Sequence, residues 1–298
     1  MQQRITLFFA SAKVRYALIA LMLIHLVALM FFAWQQFYPV RAAEGWSVRE
    51  LYSDVPRASG LTLDFTGDLL VSEELSSGYG RILHIDTRGQ RRVLMDGLSK
   101  PAGLLALNGG QAFAFSQEGG RQSVSRFTEG VVTPLFDASN VQGIWADRDA
   151  TLYAVEDRDG DGRLLRFDLQ TLETTVLRDR LTGAESVTGC PDGRMFYTEK
   201  TGDRVWQLND GGEDQIALRE LNKPSFLLCD DRGLWISEDS THRARLLLLN
   251  PDGELSVILS YLKAPQTLLP VGEGKYLLAE GGRDRVLEIS VQGDPSSS

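Results

Sequence analysis

The chain of 298 residues is poor in the side chains that carry covalent and soft-metal chemistry. It has two cysteines and three histidines, and no CxxC or similar spacing of the kind that holds zinc or an iron–sulfur cluster. No Ser/His/Asp arrangement, nucleotide-binding glycine loop or haem motif is visible, which removes the usual supports for nucleophilic catalysis. Acidic residues are absent before Glu44, and basic residues run short after it. With Arg4, Lys13, Arg15 and Arg41 set aside, 27 Lys+Arg face all 40 Asp+Glu, a net charge of −13. Such a balance argues against nucleic acid and anionic lipid head groups as partners, and suits solubility or a cationic partner.

Residues Tyr16 to Trp34 are apolar except for His25, nineteen positions that suffice to span a bilayer as a helix. Basic residues precede this run, so the positive-inside rule puts the N-terminus in the cytoplasm and the rest outside it. Trp34, Phe37 and Tyr38 suit the far interface. A cleaved signal peptide is the rival reading, since Val40-Arg41-Ala42 has small residues where signal peptidase requires them. Either way the remainder is extracytoplasmic, and periplasmic in a Gram-negative cell.

Six times the sequence brings a short run to a small residue and a Glu, with an Arg a few residues later. The Glu slots are Glu73, Glu156, Glu199, Glu238 and Glu280, with Gln117 in the second repeat. The Arg slots are Arg81, Arg163, Arg204, Arg245 and Arg285, with Ser123 in the second. Slots spaced by 44, 39, 43, 39 and 42 residues mark a repeat architecture. Each repeat reads as four short strands joined by Asp/Gly turns. The last repeat lacks a fourth strand, and Val48-Arg49-Glu50-Leu51-Tyr52 resembles the missing one. The expected fold is therefore all-β: a six-bladed propeller with four-stranded blades, closed by its N-terminal strand and preceded by one transmembrane helix. The expected boundaries are a cytoplasmic tail at 1–15, a signal anchor at 16–38 and a linker at 39–46. The propeller follows at 47–291 and a disordered tail at 292–298. Because that linker enters at a fourth strand, the inner-strand openings are expected on the face away from the tether.

The joint loss of Glu and Arg in the second repeat favours a hairpin clasp over a ring of acids awaiting a ligand. Partly exposed, such a pair would stabilise by at most ~1 kcal/mol. Cys190 and Cys229 occupy one position in adjacent repeats, and are expected as two buried thiols because neighbouring blades stand too far apart for a disulfide. His84 shares its slot with Arg126, Arg166, Gln207, Leu248 and Glu288 and reads as solvated. Asp157, Asp159 and Asp161, followed by Gly162, match the opening of a Ca²⁺ loop and mark a candidate structural Ca²⁺ site. Leu165 at position 9 and Asp168 at position 12 complete that loop poorly, and a solvated hairpin is the alternative.

Leu98-Ser99-Lys100-Pro101-Ala102-Gly103 and Leu221-Asn222-Lys223-Pro224-Ser225 resemble the openings of NHL repeats. Thr198-Glu199-Lys200-Thr201-Gly202-Asp203-Arg204 and the stretch from Ser237 through His242 to Arg243 resemble the acid-loop-Arg hairpins of that family. The resemblance covers residues 47–291. It extends to the wider six-bladed group containing SMP-30/gluconolactonase, strictosidine-synthase-like and paraoxonase-like proteins, whose lactonases hold a divalent metal on the axis. It implies that Ser59, Ala102, Gln142, Glu185, Ser225 and Gln266 face that axis, with Asn140 and Asn222 close by. Only Glu185 among them is a carboxylate, a weak cage for a hard cation. The expectation is a membrane-anchored binding platform or accessory subunit with a protein partner at the membrane. The alternative is a metal-dependent lactonase or esterase with Glu185, Gln142 and Gln266 at its centre.

Overall fold

The computed structural model describes residues 12–147, 151–240, 243–272 and 274–292, in two units that divide after Pro39. Most of both expected tails, and His242, lie outside the described residues. The first unit holds helix α1 (Ala12–Phe37), whose segment Val14–Phe37 is long and apolar enough to cross a bilayer. A membrane anchor and a signal sequence both have this form. His25 satisfies one ring nitrogen inside the helix, with Nδ1 2.7 Å from the Leu21 carbonyl oxygen.

The second unit is a six-bladed β-propeller of antiparallel four-stranded sheets. The blades cover 58–98, 101–139, 141–181, 187–218, 224–262 and 265–291. Their second strands are covered on both sides by neighbouring blades and are buried almost throughout, as in Leu69–Glu73 and Thr151–Glu156. Outer strands such as Arg91–Leu98 and Thr174–Leu181 are largely exposed. The apolar cores lie between blades: Leu152, Leu165 and Phe167 of the third pack on Ala114 and Val124 of the second.

Closure follows the sequence expectation. Strand β2 (Trp46–Tyr52) runs antiparallel to the last strand, with Trp46 opposite Val291 and Tyr52 opposite Val286. The segment expected as a linker is not free. It forms strand β1 (Arg41–Ala42), a fifth strand on blade 5, with Arg41 opposite Ser260 and Ala42 opposite Leu259. Antiparallel to the outer strand Leu255–Leu262, β1 starts toward the end of the blade where the inner strands begin. Pairing here protects an open edge that would otherwise template association.

The cysteine expectation is also overturned. Cys190 and Cys229 form a disulfide with Cα atoms 4.9 Å apart. Cys190 directly follows the inner strand Val187–Gly189 of blade 4, and Cys229 lies near the end of the inner strand Pro224–Asp230 of blade 5. There the Leu227 amide donates to Ser186 Oγ of the neighbouring blade at 3.0 Å. Blade spacing keeps outer strands apart and leaves inner strands in contact.

Four of the five Glu–Arg clasps form, through Arg81–Glu73, Arg163–Glu156, Arg245–Glu238 and Arg285–Glu280. In blade 4, Glu199 instead accepts from the Trp206 indole at 2.7 Å, and the Arg204 guanidinium lies over that ring. The slot also does what the sequence did not suggest. Its side-chain oxygen accepts the backbone N–H of the segment that crosses from the previous blade. The donors are Ser99 to Gln117, Ser139 to Glu156, Thr182 to Glu199, Asn222 to Glu238 and Lys263 to Glu280. Glu156, Glu238 and Glu280 are fully buried, so the clasp is not the partly exposed surface pair expected.

Candidate functional site

Near its start the inner strand of a blade slips register against the second strand. Ala58 faces Glu73 while Leu61 faces Val71, and Val141 faces Glu156 while Gly143 faces Val155. Blades 2, 5 and 6 slip alike. A bulge of this kind re-aims side chains. The small residue before the Glu slot secures it: Ser72 Oγ accepts from the Gly60 amide at 2.6 Å and Ser116 Oγ from Gly103 at 2.9 Å. Glycine is required at position 60 because a Cβ there would overlap the Ala102 carbonyl of the next blade. The bulges bring Ser59, Ala102, Gln142, Ser225 and Gln266 together with Glu185 around an axial throat of about 130 Å³. Asn140 does not join them, since its side chain bonds the backbone at Gly119 and Asp157. Below the bulges the throat wall is apolar, with Leu61, Leu104, Ile144, Val187, Leu227 and Leu268.

Above the throat lies a mouth of about 230 Å³ that the sequence reading missed. It is lined by the residues one position past the acidic slots: Glu74, Glu118, Asp157, Lys200, Asp239 and Gly281. With Glu185 this makes five carboxylates, where the sequence alone offered one. The repeat register that identified the slots would have found this ring by a shift of one residue.

The chain supplies its own cations to these acids. Lys200 Nζ stands 2.6 Å from Glu185 Oε1 and 2.5 Å from Asp239 Oδ2. Lys100 Nζ stands 2.8 Å from Glu118 Oε2 and 3.7 Å from Glu74 Oε1. Arg57 completes the lining. Burial pushes the Glu185 carboxyl up to about 8, against the pull of the Lys200 ammonium. Burial also raises Glu74, helped by the nearby Glu118 charge, and it raises Asp157. At Lys200 burial works to lower the ammonium, and the Glu185 and Asp239 carboxylates outweigh it and hold it raised. One oxygen of Glu118, Oε1, is buried with no hydrogen-bond partner among the described residues.

The three aspartates of the proposed Ca²⁺ loop do not converge. Asp157 turns to the axial mouth, Asp159 is exposed, and Asp161 is exposed and paired with Arg158 at 2.9 Å. The loop closes as a hairpin with its carboxylates pointing apart, so alternate spacing does not produce a cage here. Among the described residues, the carboxylate and imidazole groups with metal-ligand spacing are Asp64, Asp68 and His84, in blade 1. His84 is buried, not solvated.

No family model matches the chain. No curated protein matches it either. Solved structures do. A gluconolactonase of Xanthomonas campestris is 14% identical, with a TM-score of 0.70 over 85% of this chain and 95% of its own. The virginiamycin B lyase of Staphylococcus aureus is 12% identical, with a TM-score of 0.59 over 83% of this chain and 100% of its own. An auxiliary nutrient binding protein from Bacteroides thetaiotaomicron is 14% identical, with a TM-score of 0.62 over 80% of this chain and 69% of its own. The chain therefore has the six-bladed propeller fold of gluconolactonase-like and lyase-like proteins, a fold that serves enzymes and binding proteins alike.

Proposed function

We propose that the protein is a membrane-anchored, extracytoplasmic propeller that binds a polar or cationic group of a partner at its axial mouth. The observation that carries this reading is the Lys200 ammonium between Glu185 and Asp239. A divalent ion bridging those carboxylates would have to displace a cation already bound to both. The mouth thus holds acids already bonded to the chain's own Lys200 and Lys100, with Asp157 left to receive a donor. The disulfide supports an oxidising, extracytoplasmic setting, and the basic residues before the apolar run at Tyr16 support the same side of the membrane. A protein partner at the membrane fits the anchor and the acidic surface.

A second reading rests on Glu185. A buried carboxyl poised at about 8 suits general acid–base work near neutral pH, as a lactone or ester hydrolase would need. The full-length protein in detergent, assayed for lactone and aryl-ester turnover and analysed for bound metal, separates the two. Binding predicts no turnover above buffer, and crosslinks to a membrane partner that Asp157→Asn weakens. Turnover abolished by Glu185→Gln would overturn the binding reading.

A further inference from the structure

At the other end of blade 1 from the mouth, the turn between its first two strands carries Asp64 and Asp68, and the third strand presents His84 to them. His84 Nε2 lies 3.3 Å from Asp64 Oδ2 and 3.2 Å from Asp68 Oδ2. The outer oxygens are fixed by the backbone. Asp64 Oδ1 accepts from the Thr66 amide, the Thr66 hydroxyl and the Asp68 amide, and Asp68 Oδ1 accepts from the Thr87 amide. One inward oxygen per carboxylate and one imidazole nitrogen are left facing each other. We propose that these three atoms bind one divalent transition-metal ion of the zinc type, with the remaining coordination open to water.

Three observations favour an ion over a plain hydrogen-bonded cluster. The first is length: charge-assisted N–H···O bonds run about 2.7–2.9 Å, and one Nε2–H cannot serve two carboxylates well. A tetrahedral ion with bonds of about 2.0 Å spaces its donors about 3.3 Å apart, which is the distance found from His84 Nε2 to each carboxylate oxygen. The second is burial, since the three side chains are only 10–17% exposed and two carboxylates there need a compensating charge. Zinc-type ions accept such mixed imidazole and carboxylate sets, and donors held by an outer shell of backbone amides are the usual support.

The third observation comes from the repeats, which provide a control. The His84 slot holds Arg126, Arg166, Gln207, Leu248 and Glu288 in blades 2 to 6. The Asp68 slot holds Ala112, Thr151, Arg194, Gly233 and Lys275. Those hairpins close without the combination, so strand pairing does not require it. Among the described residues, blade 1 alone brings the three groups together, at a place remote from the mouth.

The test uses the full-length protein, stripped with EDTA in detergent and titrated with Zn²⁺ by calorimetry and with Co²⁺ by visible absorption. One Zn²⁺ per chain is expected, with ligand-field bands from the cobalt form and a higher melting temperature with metal. His84→Gln, which copies the blade 4 residue, and Asp68→Asn, which keeps the Thr87 acceptor, should each weaken binding at least tenfold. Glu185→Gln should leave it intact. Absent cobalt bands in the wild-type protein would overturn the site without recourse to any variant. So would Zn²⁺ binding that His84→Gln spares and Glu185→Gln removes.

Discussion

Glu156 and Asp157 are neighbours in the chain and serve different parts of the molecule. The Glu156 carboxylate is fully buried and holds Arg163 of its own blade and the amide of Ser139, the last residue of blade 2's outer strand. Asp157 faces the axis and meets the residues of other blades. One position defines a ring of internal clasps and the next a ring around a shared mouth. The first ring keeps its chemistry from repeat to repeat, with five Glu and one Gln. The second varies freely through Glu, Glu, Asp, Lys, Asp and Gly. The bonds that hold each hairpin and its incoming segment recur; the groups the blades share around the axis need not.

This contrast can be broken by substitution. The largest effect is expected for Glu156→Ala, which strands a buried amide and an Arg and should cost about 2–3 kcal/mol by chemical denaturation. Asp157→Asn in the same assay should move stability little and alter only titration at the mouth. A loss as large at Asp157 as at Glu156 would erase the distinction.

The mouth should instead reveal itself through pH. The Glu185 carboxyl is raised when folded, so the folded chain retains a proton that the unfolded chain releases. Its contribution is full below the ordinary carboxylate range and is lost as pH climbs through about 8. Stability should therefore fall by about 2 kcal/mol between pH 6 and pH 8, with a slope no steeper than about 1.4 kcal/mol per pH unit. Glu185→Gln should flatten the curve.

The smallest effects compare two arginines. Arg163→Ala removes a bidentate partner of Glu156 and should cost about 1 kcal/mol. Arg204→Ala should cost less than about 0.5 kcal/mol, because Glu199 takes the Trp206 indole instead. Equal costs in thermal melts would restore a common clasp to all five blades.

The blade count and the closing strand were legible because each repeat restates its strands in similar letters. The clasp partner in blade 4 was not, since Trp206 is a donor that only the fold brings to Glu199. The mouth was hidden by its variety, for Lys200 meets Glu185 of its own blade and Asp239 of the next only once the two blades stand side by side around the axis. The disulfide and the β1 pairing escaped for a related reason. Both depend on how near two segments come at a particular radius of the ring, which a period of about forty residues does not encode.

The closing sheet sets an order of events during folding. Arg49 bonds Glu288, 239 positions further along the chain, so β2 is made before the other strands of its sheet and its partner is made last. Contacts of that separation slow folding, because the loop must be ordered before the contact returns anything. Until the final blade is complete, β2 offers an unpaired edge to any neighbouring chain. Refolding followed by Trp46 fluorescence should show β2 docking in the last phase, and a chain ending before Arg285 should never reach it.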